Sequence, residues 1–234
     1  MDDLLSEKEQ IEQIRTWWSE YGNYVIGGVL AGAIGLFGYN YYQNSQMNAR
    51  LEASALYESL TNYVVSGDLE RAVSTTSQLE TEYGSTVYAS QAKLAMGRLY
   101  MDRNRDQDAV DVLRALIDSD AGEELKDVAR ARVARILLYQ DKAQDAVDLL
   151  EGRDSVAFGA IFSELLGDAY HALGRIEDAE AAYRSALMNP MAQSTIDQEF
   201  VQWKVLDLPQ TAVAAEPSEE PAVEAAEPGT EEGE

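Results

Sequence analysis

Between Glu20 and Arg50 the chain contains no charged residue. The core of that interval, "YGNYVIGGVLAGAIGLFGYNYY" from Tyr21 to Tyr42, is too apolar to lie on the surface of a water-soluble domain. At 1.5 Å of rise per residue, a helix from Tyr24 to Tyr42 reaches about 28 Å, the hydrocarbon thickness of a bilayer. The interval therefore predicts one transmembrane helix over residues 21–43. A cleaved export signal would open on a short basic segment. Here the preceding residues carry Asp2, Asp3, Glu7, Glu9, Glu12 and Glu20 against Lys8 and Arg15, which favours an uncleaved anchor. Trp17, Trp18, Tyr21 and Tyr24 precede the run, and Tyr39, Tyr41 and Tyr42 close it, as amphipathic rings do at the two headgroup levels.

Lys8 and Arg15 on one side against Arg50 on the other orient the helix with its N-terminus in the cytoplasm, although the margin is one charge. Within the span, Gly28 and Gly32 form a GxxxG pair with Gly35 and Ala31 beside it, a surface that lets a second helix approach closely. Ahead of it, in the acidic segment 1–20, Leu4, Ile11, Ile14, Trp18 and Tyr21 recur at helical spacing and predict a short amphipathic helix that lies on the membrane or on a partner.

Beyond Arg50 the sequence repeats. Ala72, Ala109, Ala146 and Ala179 stand 37, 37 and 33 residues apart, a spacing of helical-hairpin solenoids. The last unit, "FSELLGDAYHALGRIEDAEAAYRSALMNP", places Leu166, Gly167, Tyr170, Gly174, Ala179, Tyr183 and Ala186 at tetratricopeptide spacing. Gly167 and Ala179 let the paired helices approach, while Tyr170 and Tyr183 fill the space between them. No stretch shows the period-two alternation of strands. The fold class is therefore all-α: an N-terminal transmembrane helix, then about four tetratricopeptide-like hairpins over residues 49–208, with a terminal helix near Ile196 to Leu206 as a cap. Residues 209–234 contain eight Glu, four of the chain's five prolines, and no aromatic or basic residue. Such a segment buries too little apolar surface to offset its ordering entropy and is expected to be disordered.

Composition excludes several functions. With 42 acidic and 18 basic residues, a net charge of −24 and no basic stripe, the chain would repel nucleic acid. It has no cysteine, so thiolate metal sites and disulfides are absent. No nucleophile elbow, phosphate-binding loop or zinc-protease motif occurs, and neither an enzyme nor a cofactor or metal is expected. The one histidine, His171, lies near Asp168 and Glu164, and a solvated polar helix face explains the trio without catalysis.

The repeat register points to a concave groove lined by first helices. Its candidates are Tyr57, Thr61, Leu94, Arg98 and Met101 in the first two hairpins. Arg135, Leu138, Ile161, Glu164, Asp168 and His171 continue it in the last two. The Lys/Asn set that clamps a C-terminal carboxylate in chaperone-binding tetratricopeptide domains is absent, while an extended peptide or a partner helix remains admissible.

The paired tryptophans in "EQIEQIRTWWSEYGNYVIGGVLAG", a glycine-rich span ending in "GYNYYQNSQ", and hairpins starting at "ARLEASALYESL" together resemble the YfgM-type ancillary SecYEG translocon subunits, over about residues 7–207. The resemblance implies a single-pass protein of the bacterial inner membrane, N-terminus cytoplasmic and C-terminal domain periplasmic. It further implies association with the SecYEG translocon and with a membrane-anchored periplasmic chaperone of the prolyl-isomerase-like class, in support of newly exported client proteins. The acidic tail departs from the family's short ending. An alternative reading is a scaffold that self-associates through Gly28 and Gly32 and organises an envelope complex without client contact.

Overall fold

No proline occurs before Pro190, so helix breaks in most of the chain fall to glycines, Asx residues and caps. The computed structural model describes residues 7–209. The tail beyond Pro209 and the first six residues, Leu4 among them, lie outside the described residues, whose regular structure is all helix with no strand. They form two compact units, one up to Val133 and one from Ala134.

In the first unit the 60-residue helix α1, Glu7–Ser66, carries the apolar run and then continues without interruption into the repeats. Its C-terminal end pairs with α2, Leu69–Tyr83, as the first hairpin; α3, Val87–Asp102, and α4, Asp106–Ile117, form the second. Ala53 and Leu60 of α1 meet Ala72 and Leu79 of α2 and Ala92, Met96 and Leu99 of α3 in one apolar cluster. The helix α5, Glu123–Tyr139, starts in this unit, where Arg130 bonds Asp127 at 2.6 Å in a largely buried pair. In the second unit follow α6, Ala143–Leu150, the hairpin of α7, Gly159–Ala172, with α8, Ile176–Met188, the short α9, Ala192–Thr195, and α10, Gln198–Asp207.

The four repeat alanines are the fourth residue of α2, α4, α6 and α8, and each is 0% exposed. A position covered so completely favours a side chain no larger than a methyl. Five residues before each alanine, the chain reverses through a left-handed residue: Gly67, Asn104, Asp141 and Gly174. The next residue is the N-cap of the second helix, and in two hairpins it is an arginine held on both sides. Arg105 bonds Asp108 at 2.6 Å and lies over the Tyr100 ring; Arg175 bonds Asp178 at 2.7 Å and lies over Tyr170. The first hairpin reverses the order: Asp68 accepts from the Arg71 backbone N–H, and Arg71 lies over Tyr63.

Glycine inside a helix has the opposite duty, making room. A Cβ on Gly167 would stand 2.4 Å from the Tyr183 ring, and one on Gly97 would stand 2.9 Å from Leu113. These positions set the closeness of α7 to α8 and of α3 to α4.

Candidate functional site

Most large apolar side chains on the span, Tyr24, Val29, Leu30, Ile34 and Phe37 among them, are exposed, and α1 is long and apolar enough there to cross a membrane. A soluble fold buries such residues, so a helix apolar on every face and left uncovered fits a membrane span. Gly28, Gly32 and Gly35 each leave more than 4 Å of open space where a Cβ would stand. At the N-terminal margin Trp17 packs its ring against Trp18 and Tyr21, with centroids 6.4 and 5.9 Å apart.

The groove candidates fall in both units. In the first, Tyr57 stacks near Tyr88 of α3 at 5.8 Å, and the Thr61 hydroxyl donates back to the carbonyl oxygens of Tyr57 and Glu58. Both are half-buried. Leu94 is 9% exposed, and its carbonyl accepts from Arg132, so this residue is core rather than lining. Arg98 is exposed and 3.7 Å from Asp102, while Met101 is half-buried.

In the second unit Arg135 and His171 are exposed, and Leu138 and Ile161 are half-buried. Glu164 and Asp168 come together around a residue absent from the sequence-derived set, Lys204 of α10. Its ammonium donates to Glu164 Oε1 at 2.8 Å and to Asp168 Oδ1 and Oδ2 at 2.7 and 2.9 Å. The Tyr183 hydroxyl donates to the same Asp168 Oδ1 at 2.8 Å, and the ammonium also lies over the Phe200 ring. Burial pushes the Lys204 pKa down, but its bonds to Asp168 and Glu164 and their charges outweigh this and raise it above the ordinary lysine value. Burial, then the Asp168 charge and hydrogen bond, raise the Tyr183 phenol well above its usual range.

The capping helix thus supplies one cation to these two candidate acids, leaving the trio with one net negative charge. His171 makes no part of this cluster. The sequence held a signal for it: α10 has a single basic residue, four positions beyond Phe200, opposite two acids one helical turn apart. The cap itself is seated by Val201 and Leu208, both buried, while Phe200, Trp203 and Leu206 are exposed. Among the described residues no group of three or more His, Asp or Glu is arranged to hold a metal ion.

These features define a helical-hairpin repeat protein carried on a membrane-length N-terminal helix. A family model described as a tetratricopeptide repeat-like domain matches residues 15–210, and the chain belongs to that family. Its relatives include the protein named ancillary SecYEG translocon subunit in Escherichia coli (strain K12), 24% identical over 89% of this chain and 99% of the relative. Proteins of the same name in Neisseria gonorrhoeae and Haemophilus influenzae are 24% and 25% identical, covering 86% and 87% of this chain and 96% and 98% of theirs. No solved structure matches the chain significantly.

Proposed function

We propose that this chain is a membrane-anchored adaptor, an ancillary subunit of the SecYEG translocon in the bacterial inner membrane. The observation that carries this reading is the extent of the match: span and hairpins together align with relatives of that name along almost their whole length. The span docks beside the channel, with the N-terminus cytoplasmic and the hairpins periplasmic, an orientation supported by Lys8 and Arg15 ahead of the span. On the periplasmic side the hairpins recruit a membrane-anchored chaperone of the prolyl-isomerase-like class and assist newly exported proteins. In the first unit the groove candidates Tyr57, Thr61 and Met101, and in the second unit, by themselves, Leu138 and Ile161, supply half-buried apolar and hydroxyl surface to which a partner segment could bind. The reading includes no reaction and no cofactor.

The test separates the two halves. A variant ending after Arg50 keeps the span and loses the hairpins. The reading expects this variant to co-purify with the translocon and to lose the chaperone. Undiminished chaperone recovery would refute the division of labour.

A further inference from the structure

A chain of stacked helical hairpins needs a polar outer face on its last helix, because no further repeat covers it. The outer face of α10 is not of that kind. Phe200, Trp203 and Leu206 stand 51%, 61% and 77% exposed, on the side opposite the buried Val201 and Leu208 that seat the helix. Glu199, Trp203 and Asp207, all exposed, follow one another at four-residue steps and form a row along the middle of that face, with Phe200 and Leu206 to either side. The Cβ of each acid therefore lies about 6 Å from that of Trp203.

Elsewhere in this chain a ring and an acid so placed share a cation. Arg71 lies over Tyr63 and pairs with Asp68, Arg105 lies over Tyr100 and pairs with Asp108, and Arg175 lies over Tyr170 and pairs with Asp178. Lys204, on the flank of α10, lies over Phe200 and Tyr183 and pairs with Glu164 and Asp168. On the outer face of α10 the ring and two acids are present, and among the described residues no cation meets them. An indole is the side chain that holds a cation best, and a carboxylate on each side adds to the attraction.

The charges choose the occupant. Residues 210–234 follow α10 closely, but with eight Glu and no Lys, Arg or aromatic residue they have no cation to offer. A second copy pairing through α10 would set these acids against themselves, on chains that each carry a net charge of −24. Lipid phosphates would meet the same carboxylates. We infer that the outer face of α10 docks a segment of another protein in which a Lys or Arg stands among apolar residues. The cation rests over Trp203 between Glu199 and Asp207, and its apolar neighbours cover Phe200 and Leu206. The inference deepens the adaptor reading proposed above and rests on it only for the partner's name.

The experiment uses the full chain in nanodiscs of phosphatidylcholine. Its probe is a short fluorescein-labelled peptide of Lys, Leu and Ala, followed by anisotropy. The expected result is saturable binding that empty nanodiscs do not show, weakened about tenfold when Gln replaces Lys in the peptide. Glu199→Gln with Asp207→Asn, and separately Trp203→Ala, should each weaken binding about tenfold and leave the melting temperature unchanged, since all three side chains are exposed. A chain ending at Pro209 should keep the dependence on Glu199 and Asp207. Equal binding of the Lys and Gln peptides, indifference to these substitutions, binding lost with the tail alone, or equal binding to empty nanodiscs would overturn the inference. So would a doubled mass of the chain that the same substitutions abolish. If the peptide binds as expected while the full chain is recovered from native membranes free of channel subunits, the docking face stands and the proposed function falls.

Discussion

Replacing Gly167 by alanine tests how closely the last hairpin is packed. The new Cβ would stand 2.4 Å from Tyr183 Cδ1 and Cε1, far inside van der Waals contact. The ring has little room to retreat: Tyr183 is 2% exposed and its hydroxyl is tied to Asp168 at 2.8 Å. Overpacking of this kind costs about 3 kcal/mol at the upper end of its range, against about 1 kcal/mol regained from alanine's better helix propensity. The net loss is about 2 kcal/mol, and for a chain of this size it lowers the melting temperature by about 4–8 °C. Thermal unfolding of the full chain in detergent, followed by circular dichroism, measures the shift, and hydrogen exchange in α7 and α8 assigns it to the second unit. In a Tyr183→Leu background the same substitution should cost at least about 1 kcal/mol less, since the ring it strikes is gone. A Gly167→Ala protein as stable as the parent, or more so, would refute the reasoning. Gly27→Ala, where a Cβ meets nothing within 4 Å, serves as the control.

Lys204→Met leaves Glu164 and Asp168 half-buried without their cation and should weaken the cap by about 1–2 kcal/mol, seen as faster hydrogen exchange in α10. The pH dependence has a definite sign. The raised Lys204 and Tyr183 values contribute stability that is complete below about pH 10 and lost as pH rises through them, so protection of α10 should fall on the alkaline side. Lys204→Met should retain only the tyrosine part of that loss. Asn104→Gly and Asp141→Gly relieve left-handed backbone and should each be neutral or stabilising by up to about 1 kcal/mol in denaturant unfolding, whereas Gly174→Ala should destabilise. Asp127→Ala strands the Arg130 guanidinium, leaving it one contact at 3.3 Å to exposed Glu123, and should cost about 3 kcal/mol by the same measurement.

The hairpin register was legible because fully covered positions favour side chains no larger than those of the repeat alanines, and a constraint of that kind leaves a mark at fixed spacing. Gly67 and Gly174 showed two of the turns. Asn104 and Asp141 make the same left-handed turn but resemble ordinary polar loop residues, since Asx side chains tolerate that conformation without advertising it. The span was legible from its length and charge alone. That it continues into the first hairpin as one helix was not, because Asn44, Ser45 and Asn48 in "QNSQMNAR" resemble a polar loop, whereas Gln43, Gln46, Met47, Ala49 and Arg50 are good helix formers and carry the helix through to the packed Ala53 and Leu60. Groove residues were the least legible. A register predicts which side of a helix a residue occupies, but not that Leu94 is covered there, nor that a lysine 36 residues beyond Asp168 returns to neutralise it. Those contacts join distant parts of the chain, and no local pattern records them.

Association with the translocon is tested most directly by affinity purification of the full chain, at its native level, from membranes solubilised in mild detergent. The account predicts that the channel subunits are recovered with it and that the span variant ending after Arg50 recovers them too. Recovery of the full chain free of channel subunits, under conditions where the channel itself stays assembled, would contradict it.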